Sequence, residues 1–271
     1  MGRRSGMLVV MVMVVMGMMG LLAACGGGGG GGTSAATGDG STGGGGTVTP
    51  TPVPTVAAGW WTGSTDDHRT LTGLVFGDGS FSILYSAQDA PDSVAGLVQG
   101  TGAGVDGAFN STATVDTINF SLADGTVAAT QLSATVVAAQ RFDGKLSVDA
   151  PAFSMTYNPT YERTASLDDV AGSYDAQAAR PDDSLSVALT IDAQGVLSGS
   201  GTGCRVAGTL TARSDANAFD IVLALSGDDC ASNGSAFGGI AFFDADTRRL
   251  SVMAPNAART DALVVRAARI D

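Results

Sequence analysis

From Ala57 to the end of the chain, hydrophobic residues recur in short alternating runs that are broken by turn residues. Leu74-Val75-Phe76 precedes Gly77-Asp78-Gly79, and Phe81–Tyr85 follows. Because Asp-Gly supplies residues that tolerate a positive φ, this segment predicts a β-hairpin. The same alternation of short apolar runs and turn residues continues to Leu263–Ala268. Many short strands at even spacing predict an all-β fold, either a sandwich or a barrel.

The two halves of this region are weakly similar to each other. Gly59-Trp60-Trp61-Thr62-Gly63 opens the first half, and Gly172-Ser173-Tyr174-Asp175-Ala176 opens the second. We therefore expect two similar antiparallel meander units, residues 57–160 and 161–271, with a boundary near Asn158–Val170. A helical turn is expected at Leu167–Ala171, with Ser166 as its N-cap. The alternative is generic meander patterning within one fused β domain.

The N-terminal segment carries the features of an export signal. Arg3 and Arg4 precede an apolar run, Met7–Leu22, and small residues lead up to Cys25. A charged start, a short apolar stretch and small residues at the cut site are typical of a secretory signal peptide, here residues 1–24. The alternative is a transmembrane helix, but that needs roughly 20 apolar residues. This run is shorter and contains Gly17 and Gly20.

Leu22-Ala23-Ala24-Cys25 resembles a bacterial lipobox, which implies that Cys25 is acylated, for example with palmitate, and becomes the first residue. Seven glycines follow, Gly26–Gly32, and Thr-Pro repeats lie further on. Residues 25–56 hold too little apolar surface to fold, so we expect a disordered, flexible tether behind the lipidated cysteine. Gly26 replaces the aspartate that commonly retains lipoproteins at the inner membrane, and this resemblance implies delivery to the outer membrane.

The charge of the chain excludes one class of partner. The formal net charge is -12, and removal of Arg3 and Arg4 makes the mature chain more acidic. A field of this sign repels nucleic acid and anionic lipid headgroups. Membrane attachment is therefore expected through acyl chains on Cys25 and not through a basic patch.

Two cysteines remain after processing, Cys204 and Cys230. An even number of cysteines in an exported protein predicts a disulfide, here in the second unit. The alternative is a pair of free buried thiols.

The sequence offers little catalytic chemistry. Asp66-Asp67-His68 is the one place where carboxylates meet an imidazole, and His68 is the only histidine of the chain. Three adjacent residues of a loop cannot all converge on one metal ion, so we expect a hydrophilic connection and no metal site. A serine hydrolase needs a base near its nucleophile, and no Gly-x-Ser-x-Gly elbow precedes a helix. We therefore expect no enzymatic activity and no cofactor.

The two tryptophans, Trp60 and Trp61, are adjacent on one predicted strand. Successive strand side chains point to opposite faces. We therefore expect one of them in the core and the other on the surface or at a barrel mouth, where an exposed aromatic ring can contact a ligand or partner. The alternative for the second ring is partial cover by neighbouring loops.

A Gly-x-Trp-x-Gly opening followed by a glycine-turned meander resembles the small calycin-type barrels. The resemblance implies that Trp61 is the core aromatic of the first unit and Tyr174 that of the second, which makes Trp60 the exposed residue that contacts a partner. With the lipobox and the polyglycine tether, the chain resembles a group of proteobacterial lipoproteins of β-barrel type, and that family implies no known reaction. We expect a noncatalytic envelope lipoprotein that binds an unknown protein or small ligand on the periplasmic or surface side. The alternatives are a hydrolase of envelope polymers and a purely structural accessory. An open apolar cavity would favour ligand binding, and a filled interior would favour protein binding or the accessory.

Overall fold

The computed structural model describes residues 57–119, 127–147, 150–181 and 183–271. The proposed signal peptide (residues 1–24), Cys25 and the rest of the proposed tether to residue 56 lie outside the described residues. In the described part of the chain, no helix has the length and apolarity needed to cross a membrane.

The first barrel contains eight antiparallel strands in meander order. It is closed because the last strand pairs with the first, Trp61 opposite Tyr157, and a further short strand, β6, adds to β5. The predicted hairpin at Asp78-Gly79 joins β2 to β3, and Gly79 has a φ of 84° there. The strands are β1 (Gly59–Thr65), β2 (Thr70–Val75), β3 (Ser80–Tyr85), β4 (Gly96–Val105), β5 (Ala108–Asn119), β6 (Ala128–Ala129), β7 (Ser133–Val137), β8 (Arg141–Lys145) and β9 (Ala152–Asn158).

The second barrel is also a closed antiparallel meander of eight strands, sealed by pairing of its first and last strands. The prediction of two similar antiparallel barrel units is therefore confirmed. The strands are β10 (Gly172–Arg180), β11 (Asp183–Ile191), β12 (Val196–Gly201), β13 (Arg205–Ala212), β14 (Phe219–Ser226), β15 (Ala236–Asp244), β16 (Arg249–Pro255) and β17 (Ala262–Arg269).

A short connection carries the chain from one barrel to the other. It contains a 3₁₀ turn, Pro159–Glu162, and the short helix α1 (Leu167–Val170), which confirms the predicted helical turn. Ser166 lies at the N-cap position but makes no capping hydrogen bond through its side chain. The backbone N–H of Asn217 donates to the carbonyl of Tyr161 at 2.9 Å, so the connection is bound to the second barrel.

Both barrel interiors are filled by side chains. Aromatic rings pack against one another in the first barrel, with Trp61, Phe109 and Phe153 each lying 5.5–5.7 Å from the ring of Phe142. Aliphatic residues fill the second barrel, and the void at its centre measures about 10 Å³. That volume is about the minimum that can hold one water molecule.

A third hydrophobic cluster lies between the barrels. Leu74, Leu84 and Leu97 project outward from the first barrel and belong to one buried cluster with Phe242, Met253 and Val264 of the second. The strands that carry them have apolar residues on both faces, as expected of strands covered on both sides. By contrast, β14 alternates strictly between buried and exposed residues. The guanidinium of Arg213 also stacks over the Phe76 ring at 4.2 Å.

Candidate binding cleft between the two barrels

A cleft of about 410 Å³ opens beside the apolar contact between the barrels. Its volume lies within the range of 300–1,000 Å³ that is usual for small-molecule sites. The first barrel supplies Trp60, Thr62, Thr72 and, from the loop between β3 and β4, Asp92. The outward faces of β10, β15, β16 and β17 supply most of the opposite wall.

The strand register of the second barrel produces the cleft. Cross-strand neighbours on the outward face form three successive rows, which change from apolar to charged. The row nearest the apolar contact contains Ile240, Met253, Val264 and Ala179. The middle row contains Phe242, Ser251, Arg266 and Gln177. The outer row contains Asp244, Arg249, Ala268 and Asp175. The apolar row therefore packs on the first barrel, while the polar rows line the opening.

Two arginines reach from the second barrel toward the loop of the first. Arg266 donates from Nη1 to the carbonyl of Pro91 at 3.0 Å, and Nη1 of Arg249 lies 3.5 Å from Oδ1 of Asp92. Burial lowers the pKa of Arg266, and the positive charge of Arg249 acts in the same direction, while the Asp92 carboxylate opposes both. The cleft therefore contains a partly desolvated guanidinium that has retained donor capacity.

Trp60 forms part of the wall, and its position corrects one expectation. It is 3% exposed, so the prediction that it lies on the surface is wrong. Its ring does point away from the interior of its own barrel, but it packs edge-on against Phe242 at 4.8 Å. The indole Nε1 is buried and has no hydrogen-bond partner among the described residues.

Asp175 is the carboxylate of the cleft that has no polar partner among the described residues. It is exposed and makes no hydrogen bond or ion pair with any residue that the structure describes. Gln177, next to it on the same face, is bonded to Ser186 at 2.9 Å. The lining as a whole carries two arginines and three aspartates.

The Asp66-Asp67-His68 segment does not line the cleft. His68 is paired with Asp89 at 3.3 Å, and both side chains are at least 70% exposed. Asp67 instead binds Arg69 at 2.9 Å, so the Asp66-Asp67-His68 segment does not converge on one point. No group of three or more metal-ligating side chains was found in the described ranges.

Cys204 and Cys230 form a disulfide, as predicted. The bond joins the turn between β12 and β13 to the loop between β14 and β15. Gly203 has a φ of 73° in that turn, and a Cβ there would lie 2.9 Å from the Asp229 carbonyl oxygen. A glycine is therefore needed for the two loops to approach closely.

The charged residues of the cleft belong to no recognisable motif. One signal in the sequence does point to them: Arg249 and Arg266 take outward positions on strands whose other outward residues are largely apolar. The whole chain matches no known family model, and no curated protein is significantly similar to it.

Proposed function

We propose that this protein is a bacterial envelope lipoprotein that acts by binding, without catalysis, at the cleft between its two barrels. Acyl chains on Cys25 hold it to the outer membrane, and residues 25–56 link the anchor to the barrels. The lipobox pattern at Leu22–Cys25 supports the anchor. The barrels face the periplasm or the cell surface.

The contrast between the cleft and the interior of the second barrel supports the choice of binding site. The void within the second barrel is about 10 Å³, whereas the cleft measures about 410 Å³ and combines buried aromatic groups with charged ones. Binding sites are usually concave and largely apolar, with a few polar groups that fix orientation. His68, the only histidine of the chain, is not among the residues that line the cleft.

A structural accessory that binds no ligand is the second candidate, because filled barrel interiors suit it equally well. The two candidates differ in where other molecules contact the protein. A binding protein concentrates its contacts at the cleft, whereas an accessory shows no preference for it.

Photo-crosslinking in living cells separates the two proposals. A benzoylphenylalanine is placed at Thr62 in the cleft or at Val222, which is 60% exposed on β14 and outside the cleft. We expect adducts from position 62, identified by the mass of the purified protein, and few from position 222. Equal adducts at both positions, or adducts at position 222 alone, would contradict binding at the cleft.

A further inference from the structure

We infer that the cleft binds a short peptide-like zwitterion of about dipeptide length, with its carboxylate at Arg249 and Arg266 and its ammonium at Asp175. This inference rests on the proposal that the cleft is the binding site. It adds the chemical class of the ligand, which follows from how the charges of the cleft are arranged.

The carboxylate end of the ligand is assigned by the two arginines. Guanidinium groups bind carboxylates strongly through parallel N–H donors. Arg266 uses Nη1 for the Pro91 carbonyl, which leaves its other donors for a ligand. The contact of Arg249 with Asp92 is long, 3.5 Å, and the Asp92 side chain is 86% exposed. An incoming carboxylate can therefore replace a weak and solvated partner.

The ammonium end is assigned by Asp175. Its carboxylate has no partner among the described residues, whereas Oδ1 of Asp244 accepts the backbone N–H groups of Asp246 and Thr247 in a turn. Asp175 is therefore the free anion of the outer row. A ligand ammonium would satisfy it without breaking an existing bond.

The spacing of the strand positions that carry these groups suits a ligand of about dipeptide length. Gln177 lies directly opposite Arg266, so Asp175 is the diagonal neighbour of Arg266. The Cα atoms of diagonal neighbours on one face of an antiparallel pair are about 7–8 Å apart. A dipeptide spans at most about 7 Å in the extended form, and a single amino acid spans about half of that.

The charge balance disfavours other ligands. Three aspartates outnumber two arginines in the lining, so a dianion such as phosphate meets net repulsion. Sugars bind by stacking on exposed aromatic faces, but Trp60 and Phe242 are buried against each other. A zwitterion places one charge of each sign beside its complement.

Isothermal titration calorimetry on the full protein purified from cells tests the inference. The probes are alanyl-alanine, its N-acetyl form, its C-terminal amide, free alanine and inorganic phosphate. We expect alanyl-alanine to bind, and removal of either terminal charge to weaken binding about tenfold or more. Free alanine should also bind more weakly, because it cannot span the two charged groups.

Variants connect this binding to the cleft. Arg249→Gln and Asp175→Asn should each weaken binding of alanyl-alanine about tenfold or more. Arg205→Gln is the control, because Arg205 is exposed on β13 and does not line the cleft. Circular dichroism verifies that each variant is folded.

Three results would overturn the inference. They are binding of the N-acetyl form as tight as that of alanyl-alanine, tighter binding of phosphate than of alanyl-alanine, and no heat with alanyl-alanine at about 10 mM. At that concentration, even a Kd of about 1 mM would give near-saturation. Crosslinks that still concentrate at position 62 would then show that the cleft binds something else. If alanyl-alanine does not bind and crosslinks do not concentrate at position 62, the proposal that the cleft is a binding site is wrong as well.

Discussion

Trp61 on β1 and Tyr174 on β10 occupy equivalent places on the first strands of the two barrels. Both are fully buried. Nε1 of Trp61 donates to the carbonyl of Ala57 at 2.9 Å, and the hydroxyl of Tyr174 donates to the carbonyl of Val170 at 2.5 Å. In each case the acceptor lies four residues earlier in the chain. Each aromatic residue therefore fixes the preceding chain to the start of its barrel.

Trp60 and Trp61 have equal size and nearly equal burial, so a matched substitution isolates the hydrogen bond. Trp61→Phe leaves the Ala57 carbonyl without its donor, whereas Trp60→Phe removes an N–H that has no partner among the described residues. We expect Trp61→Phe to lower the free energy of unfolding by about 1–3 kcal/mol more than Trp60→Phe does. Urea titrations of both variants measure this difference. A larger loss for Trp60→Phe would contradict the assignment of the two indoles.

The buried tyrosines predict weaker folding at alkaline pH. Burial raises the pKa of Tyr174 and of Tyr161 to about 12, from the ordinary value of 10.0. The unfolded chain therefore ionises these groups first, and their contribution to stability, complete below pH 10, is lost as the pH rises toward 12. We expect the free energy of unfolding to fall across this interval, and less steeply in Tyr174→Phe. A Tyr174→Phe profile parallel to that of the wild type would exclude Tyr174 as a cause.

At the scale of the strands, the sequence predicts local features well. The Asp78-Gly79 hairpin and the cysteine pair each depend on neighbouring residues or on simple compartment chemistry. The resemblance of the opening motif selects Trp61 as the inward tryptophan. Alternation then shows correctly that Trp60 leaves the interior of its barrel. It cannot show what covers the outward face, because Phe242 comes from a distant strand. The charged wall of the cleft cannot be predicted for the same reason, because it is built from strands that are distant in the sequence.

The disulfide joins two loops at one end of the second barrel, and its cysteines have a sequence separation of 26. A loop of this length stabilises the fold by about 3–4 kcal/mol in the chain-entropy model. We expect reduction to lower the free energy of unfolding by about that amount. Added reductant should have no effect on a Cys204→Ala/Cys230→Ala variant. Two alkylatable thiols in the unreduced protein would contradict the bond.

At the scale of the whole molecule, the two barrels are joined by more than the chain that links them. The described part of residues 50–271 forms one compact unit, with a buried apolar cluster between the barrels. The cleft exists only because the two barrels meet, and both barrels contribute residues to the proposed site. Runs of apolar residues such as Val252-Met253-Ala254 indicate strands that are covered on both faces. They do not indicate which strands meet.

Metabolic labelling with palmitate tests the central claim, that a lipid anchor on Cys25 holds this binding unit at the membrane. We expect label on the wild-type protein and on Cys204→Ala/Cys230→Ala, and none on Cys25→Ala. Because the net negative charge of the chain repels anionic lipid headgroups, we expect Cys25→Ala to leave the membrane fraction or to remain unprocessed. Unchanged labelling of Cys25→Ala would contradict the account.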